Sequence, residues 1–251
     1  MDTIGQLLQR GADDATAIGA PEAVPPLRYR DLRVLAQRTV ADLNSLGIGR
    51  GQRVAMVLPN GPEAAAAFVS IACGTTTAPL SRGLTAEEFE FNLSDLRAKA
   101  LVIEAGLESP ARAVAAKLHI PIIELVPQRE RGAGTFLLRP LAKNGAGPFE
   151  GGLAQPDDVA LLLHTSGSTS RPKLVPLLQR NVTASARNIA NALQLTPDDV
   201  CLNIMPLFHI HGLMAAVLSS LGAGAQVSCS AGFNALRFFH WLDEVRPTWY
   251  T

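Results

Sequence analysis

The sequence predicts an α/β protein, with two parallel-type sheets and flanking helices. Three observations point there. Short apolar runs alternate with helical patterns along most of the 251 residues. Hydrophobic residues make up 47% of the chain, enough to bury a sizeable core. The rhythm breaks once, between Gln128 and Gln155, where six glycines and two prolines gather. That break predicts a first α/β subdomain at 1–130, a glycine-rich linker at 131–155 and a second α/β subdomain at 156–251.

The elements follow in order. Thr3 to Gln9 has the pattern of a short amphipathic helix, and Ala15 to Ile18 that of a strand. Leu32, Leu35, Ala36, Thr39, Val40, Leu43 and Leu46 recur at helical spacing until Gly47 and Gly49 stop the helix. Gly47-Ile48-Gly49-Arg50-Gly51 is no dinucleotide loop, because it follows a helix and precedes the strand Arg53 to Leu58. Asn60-Gly61-Pro62 turns the chain into a helix from Glu63 to Cys73, whose Ala64 to Ala67 run permits close approach of a neighbour. Thr76 to Leu80 is a short strand. Thr85 and Glu88 form a capping box for a helix to Leu96. Ala100 to Ile103 is a strand, Ser109-Pro110 opens a helix to Leu118, and Ile120 to Val126 is a strand.

Beyond the linker, Val159 to Leu163 is a strand ending in a polar loop. Asn181 caps a helix to Leu193. Val200 to Met205 is a strand, followed by the loop Pro206 to Gly212 and a helix closed by Gly222. Gln226 to Cys229 is a strand, Asn234 to Val245 a helix, and Thr248 to Thr251 the start of a strand. Right-handed crossovers would make the four strands of this unit parallel, with both polar loops at carboxyl ends on one side.

Composition excludes several functions. Lys plus Arg equals Asp plus Glu, at 22 each, so no net charge draws the chain to nucleic acid or to an anionic membrane. Aromatic residues are only 5%, which argues against a base-stacking platform. Cys73, Cys201 and Cys229 lie in apolar segments without CxxC spacing, so they read as buried thiols. The longest apolar stretch, Gly212 to Val227, is too short and too polar to span a bilayer. A cytoplasmic protein is expected.

Thr165-Ser166-Gly167-Ser168-Thr169-Ser170-Arg171-Pro172-Lys173 is the most informative stretch. Small residues let a charged group reach the backbone amides, hydroxyls add donors, and Lys173 adds a positive charge, a combination suited to polyphosphate. It is not a Walker P-loop, because Gly167 stands at the wrong distance from Lys173 and Leu174 follows the lysine. It is not a nucleophile elbow either, which needs glycines on both sides of the serine.

This stretch resembles the phosphate-binding signature of the adenylate-forming superfamily, which includes acyl-CoA synthetases, luciferases and peptide-synthetase adenylation domains. Leu27 to Leu32, Gly74 to Leu80 and Pro206-Leu207-Phe208-His209 are similar to further family elements, in order and spacing. His164 to Lys173, Pro206 to Leu213 and Thr248 to Thr251 are similar to the oxalate–CoA ligase-like branch. Departures are Leu174, where the family has glycine, and Leu177-Leu178, where it is more polar.

The resemblance implies the N-terminal large domain of the acyl-CoA synthetase/luciferase fold, incomplete at its C-terminal end, with a sheet edge left open for self-association. It implies ATP, Mg2+ and coenzyme A as co-substrates and a small carboxylate as substrate. Thr165, Ser166, Gly167, Ser168, Thr169, Ser170 and Lys173 would hold the phosphates, and His209 would stand beside the acyl-adenylate as the catalytic candidate. His211 has two readings, a donor to a small dicarboxylate or a cap on the following helix. His119, His164 and His240 read as structural. No metal ligands are assigned. The family's adenine, ribose and hinge motifs and its catalytic lysine come later than Thr-Trp-Tyr-Thr, so a fragment inactive alone is expected. The rival reading is a non-catalytic module that binds nucleotide or a partner.

Overall fold

The structure, a computed structural model, describes residues 2–22, 24–142, 147, 149, 151–165 and 172–251. In chain order the elements are α1 (Ile4–Leu7), β1 (Thr16–Gly19), β2 (Leu27–Arg28), α2 (Tyr29–Ser45), β3 (Arg53–Val57), α3 (Pro62–Ala72), β4 (Thr76–Pro79), α4 (Ala86–Asp95) and β5 (Ala100–Glu104). They continue with α5 (Pro110–Lys117), β6 (Ile122–Pro127), a 3-10 turn (Arg129–Arg131), β7 (Phe136–Pro140), β8 (Val159–Thr165), β9 (Lys173–Leu178), α6 (Gln179–Ala192) and β10 (Val200–Asn203). A π-helical segment (His211–Leu218) then runs into α7 (Ser219–Ala223), followed by β11 (Gln226–Cys229), α8 (Ala235–Val245) and β12 (Trp249–Tyr250).

The strands form two sheets. One has seven strands in the order β7-β6-β5-β3-β4-β8-β9, the other five in the order β12-β10-β11-β1-β2. Their interiors are parallel, with antiparallel strands β7, β9 and β2 at three of the edges. Strand membership crosses the 131–155 stretch in both directions. β8 joins the seven-stranded sheet, where Thr76 Oγ1 and Thr77 Oγ1 donate to the carbonyls of Val159 and Ala160 at 2.7 and 2.8 Å. β1 takes the place beside β11, with Ile18 opposite Val227. The expected four-stranded unit from 156 onward is therefore corrected: β8 is followed by a hairpin return, so the crossover argument does not apply to it.

Four local corrections follow. Lys173, read as the end of the polar loop, begins β9, and residues 174–178, assigned to no element, continue it, paired antiparallel with β8 from Val159↔Leu178 to Thr165↔Lys173. Within the glycine-rich stretch lies β7, whose Phe136 is buried. α6 begins before Asn181, and the Asn181 side chain accepts from the Leu178 N–H at 3.0 Å from inside the first turn. α7 closes at Gly224, φ 80°, rather than at Gly222.

Other signals hold. Thr85 and Glu88 cap α4 reciprocally, Ser109 caps α5 with Pro110 in its first turn, and Asn234 caps α8. Every residue of α3 is buried. Its alanines admit the turn before β7, where a Cβ on Gly134 would lie 3.0 Å from Ala66 and 2.6 Å from the Pro62 carbonyl. Tyr29 is wholly buried, and its hydroxyl donates to the Ala225 carbonyl at 2.7 Å, pinning α2 to the loop before β11. The three cysteines are free and buried, and burial pushes the Cys73 and Cys229 thiols up to about 12. Among the described residues no helix is long and apolar enough to cross a membrane.

Candidate functional site

Thr165 ends β8 and Lys173 begins β9, and the two face each other in register. The strand pairing therefore brings the ends of the intervening loop within about 5 Å of one another. Ser166, Gly167, Ser168, Thr169 and Ser170 lie outside the described residues. Lys173 is exposed. Its neighbour pair, His164 opposite Leu174, holds a second anchor: His164 Nε2 lies 2.9 Å from Asp95 Oδ2, and its ring centroid is 6.0 Å from that of Phe91. The base of the loop is thus tied to the end of α4.

The loop from Pro206 to Gly212 leaves β10, in the other sheet. The Asn203 side chain shapes its start, accepting from the Met205 N–H and donating to the Met205 carbonyl, both at 3.1 Å. Asn60, on the turn after β3, reaches across from the seven-stranded sheet. It accepts from the Leu207 N–H at 2.8 Å and donates to the Met205 carbonyl at 3.2 Å. Leu207 is buried beneath. Gly212 is required by closeness: a Cβ there would lie 2.5 Å from the Pro206 carbonyl oxygen. Phe208 packs against His209 with ring centroids 4.4 Å apart. His209, Ile210 and His211 are exposed.

The two loops meet across a cleft of about 320 Å³. Leu163, His164, Thr165, Val175 and Leu177 form one wall, and Phe208, His209 and Ile210 the other. Thr165 and His209, both predicted, thus share a site although they come from different sheets. His211 does not line this cleft; it starts the π-helical segment and its ring makes no hydrogen bond among the described residues. His164 also lines an open cleft of about 540 Å³ with Glu87, Glu88 and Phe91 of α4, so it stands between two cavities. The other two histidines lie elsewhere: His119 follows α5 with φ 55°, and His240 is 3.9 Å from Glu244 on α8.

Asn60 and Asp95 were not singled out from the sequence. Asn60 sits in an Asn-Gly-Pro turn, which accounts for it locally, and its partners lie 145 and 147 residues away. Asp95 meets His164 across 69 residues and carries no motif. Close to Asn60, Glu63 is buried and bonded by Arg129 at 2.8 Å. Burial, then the Glu63 charge, raises the Glu104 carboxyl above its usual range. No set of three His, Cys, Asp or Glu side chains among the described residues is grouped to hold a metal. Chemically, the cleft offers a hydroxyl from Thr165 on one wall and an imidazole on the other, over an apolar floor. Such a site can hold a polar ligand against an apolar one while leaving Lys173 free to meet negative charge.

Comparison with known proteins covers the same residues. The chain is 42% identical to the oxalate–CoA ligase of Arabidopsis thaliana over 100% of its own length and 50% of that protein. It is 32% identical to the oxalate–CoA ligase of Saccharomyces cerevisiae, over 95% of the chain and 49% of the yeast protein. The apo structure of MbtA from Mycobacterium smegmatis superposes with a TM-score of 0.81 at 27% identity, covering 100% of this chain and 48% of that one. The chain spans about half the length of the curated relatives it matches. The fold is that of the N-terminal part of adenylate-forming enzymes. The family described as AMP-binding enzyme matches residues 9–251, a stretch that contains both loops and both sheets, and the chain belongs to that family.

Proposed function

We infer that the chain is the N-terminal portion of an ATP-dependent carboxylate–CoA ligase, acting on oxalate or another small carboxylate. The observation that carries this reading is the 42% identity to an oxalate–CoA ligase across the whole chain. In the first step a carboxylate oxygen attacks the α-phosphorus of ATP, and the bond to pyrophosphate breaks. In the second the thiol of coenzyme A attacks the acyl carbon and AMP leaves.

Both steps develop charge on oxygen, so fixed donors matter more than a side-chain nucleophile. Thr165, Ser166, Gly167, Ser168, Thr169, Ser170 and Lys173 are the residues assigned to the β- and γ-phosphates, with Mg2+ accompanying them. His209 is assigned to the acyl and adenylate end, which its place opposite Thr165 in the cleft supports. His211 is the donor assigned to the second carboxylate of a small diacid. Its exposure on the surface just beyond the cleft makes that assignment depend on closure of further residues over the site.

Carboxylate-dependent ATP–pyrophosphate exchange tests the reading. The 251-residue chain is expected to show none, and exchange is expected once sequence equivalent to the relatives' second half is joined to it. Failure of the joined protein to exchange with any small carboxylate, oxalate included, would sink the ligase reading.

A further inference from the structure

A separate cavity, of about 250 Å³, opens between α2, β2 and the turn that leads into β7. None of its lining residues lines the Thr165–His209 cleft. β2 is an edge of the five-stranded sheet and β7 an edge of the seven-stranded one, so the cavity stands where two sheet edges come together. The turn is fixed to the segment before β2, because the Ala133 N–H donates to the Pro25 carbonyl at 2.7 Å.

Two polar atoms at this cavity lack partners. Arg38 Nε and Thr135 Oγ1 are each buried without a hydrogen bond, and both side chains line the space. Buried polar groups are normally paired, and leaving one unpaired costs stability. Both groups are held in place. Arg38 donates from Nη2 to the Phe136 carbonyl. The Thr135 N–H donates to the Gly132 carbonyl at 3.0 Å, and its own carbonyl accepts from the Gln128 N–H at 2.7 Å. The charge of the lining is positive. Arg38 and Arg131 contribute two cations, and neither is ion-paired among the described residues. Asp31 contributes one carboxylate, which already lies 3.6 Å from Arg30 Nε. The rest of the lining that bears on a ligand is apolar: Leu27 and Leu35 are buried, and Val34 is 59% exposed at the mouth.

We propose that this cavity binds a small organic monocarboxylate, with the carboxylate on Arg38 Nε and Thr135 Oγ1 and a short apolar tail against Leu27, Val34 and Leu35. A carboxylate supplies acceptors to both unpaired groups and meets the guanidinium with a charge-assisted bond. Two cations set against Asp31 match a single negative charge better than a double one. The apolar wall gives a hydrocarbon tail an advantage over an inorganic anion. The site is independent of the ligase reading, which concerns the other cleft.

The test is a titration of the 251-residue chain with sodium butyrate at constant ionic strength. Nitrogen–proton correlation NMR follows the Arg38 Nε–H and the Thr135 amide. Both signals are expected to shift and saturate, and Tm is expected to rise with the same saturation. Butylammonium chloride should move neither signal. Inorganic phosphate and oxalate should bind roughly tenfold more weakly or worse, since neither has a tail for the apolar wall. Arg38 also holds the Phe136 carbonyl, so its replacement could disturb the fold. Val34→Asp, at an exposed position, avoids this: it should weaken butyrate roughly tenfold or more by adding a like charge and removing apolar wall, and leave the Tm of the unliganded chain unchanged. Absence of a saturable shift overturns the proposal and would mean that water alone meets the two groups. Equal binding of phosphate or butylammonium, or an unchanged affinity in Val34→Asp, overturns it too. So does saturation that moves His209 and Thr165 signals instead, which would place the carboxylate in the other cleft. Carboxylate-dependent pyrophosphate exchange is read separately, so failure of the ligase reading leaves this result standing.

Discussion

At the scale of single residues, Lys173 and Asp158 stand in opposite relations to the fold. Lys173 is exposed and its backbone is held by pairing with Thr165, so its side chain contributes little to the fold. Lys173→Ala in the complete enzyme is expected to weaken ATP binding tenfold or more, the loss of a charge-assisted contact of roughly 1.5–3 kcal/mol. Tm should not move; calorimetric titration and a thermal scan on the same sample read both, and unchanged nucleotide affinity would remove the phosphate role. Asp158 is the opposite case. It accepts from Arg50 Nε at 2.7 Å and from the Gln155 N–H at 2.7 Å, just before β8. The hydrogen bond from Arg50 leads in holding its carboxyl below the usual 3.8. A depressed carboxylate stabilises the fold fully above its ordinary value and loses that effect as pH falls through the lower, folded value. Asp158→Asn should therefore lower Tm at pH 7 and cost progressively less below about pH 4. An identical cost at pH 7 and pH 3 would show that the charge is not what matters. The expectation for Lys173 comes from the motif that surrounds it. Asn60, which ties the turn after β3 to the loop after β10, was not legible, because its role depends on partners that no local pattern reveals.

At the scale of elements, what could be read from the chain was what is decided locally. Helix starts were legible where a side chain closes a hydrogen bond within three residues, as at Thr85, Ser109 and Asn234. Edge strands were not. β9 contains Pro176 and β7 ends in Pro140, and proline argues against a central strand while leaving an edge strand open. The π-helical segment was read only as a helix; the extra residue in its turn has no sequence mark, although it begins at His211 beside the cleft. The loop before it depends on one glycine. Gly212→Ala would press a Cβ to 2.5 Å from a backbone carbonyl, which cannot rotate away as a flexible side chain would. The expected cost is roughly 1–3 kcal/mol, with the loop displaced and His209 moved from the wall it shares with Phe208 and Ile210. In the complete enzyme, kcat/KM should fall by more than the stability loss accounts for at a temperature where the variant is fully folded. Unchanged activity there would mean that His209 need not hold this position.

At the scale of the whole molecule, the two sheets are interleaved rather than consecutive, and this was the least legible property. An alternating pattern states that strands exist; it does not say that β1 belongs beside β11 or β8 beside β4, which are choices between partners far apart in the chain. Buried polar side chains with distant partners tie such far-apart segments together. Gln179, at the start of α6, is wholly buried. It accepts from the Ile4 N–H at 2.9 Å and donates to the Ala72 carbonyl at 2.6 Å, groups 175 and 107 residues away. Both partners are helix-terminal groups, the first N–H of α1 and the last carbonyl of α3, and neither has a partner inside its own helix. One amide therefore completes two helices while fixing both against a third. Gln179→Leu keeps the volume and leaves both groups buried and unpaired, at a cost of roughly 2–5 kcal/mol. For a chain of this size the expected fall in Tm is about 5 °C or more. The urea midpoint should fall with an unchanged slope, because the folded state loses bonds without losing compactness. A midpoint within error of the parent would mean that water replaces the amide at both helix ends, and that the docking of α1 and α3 is held by apolar packing alone.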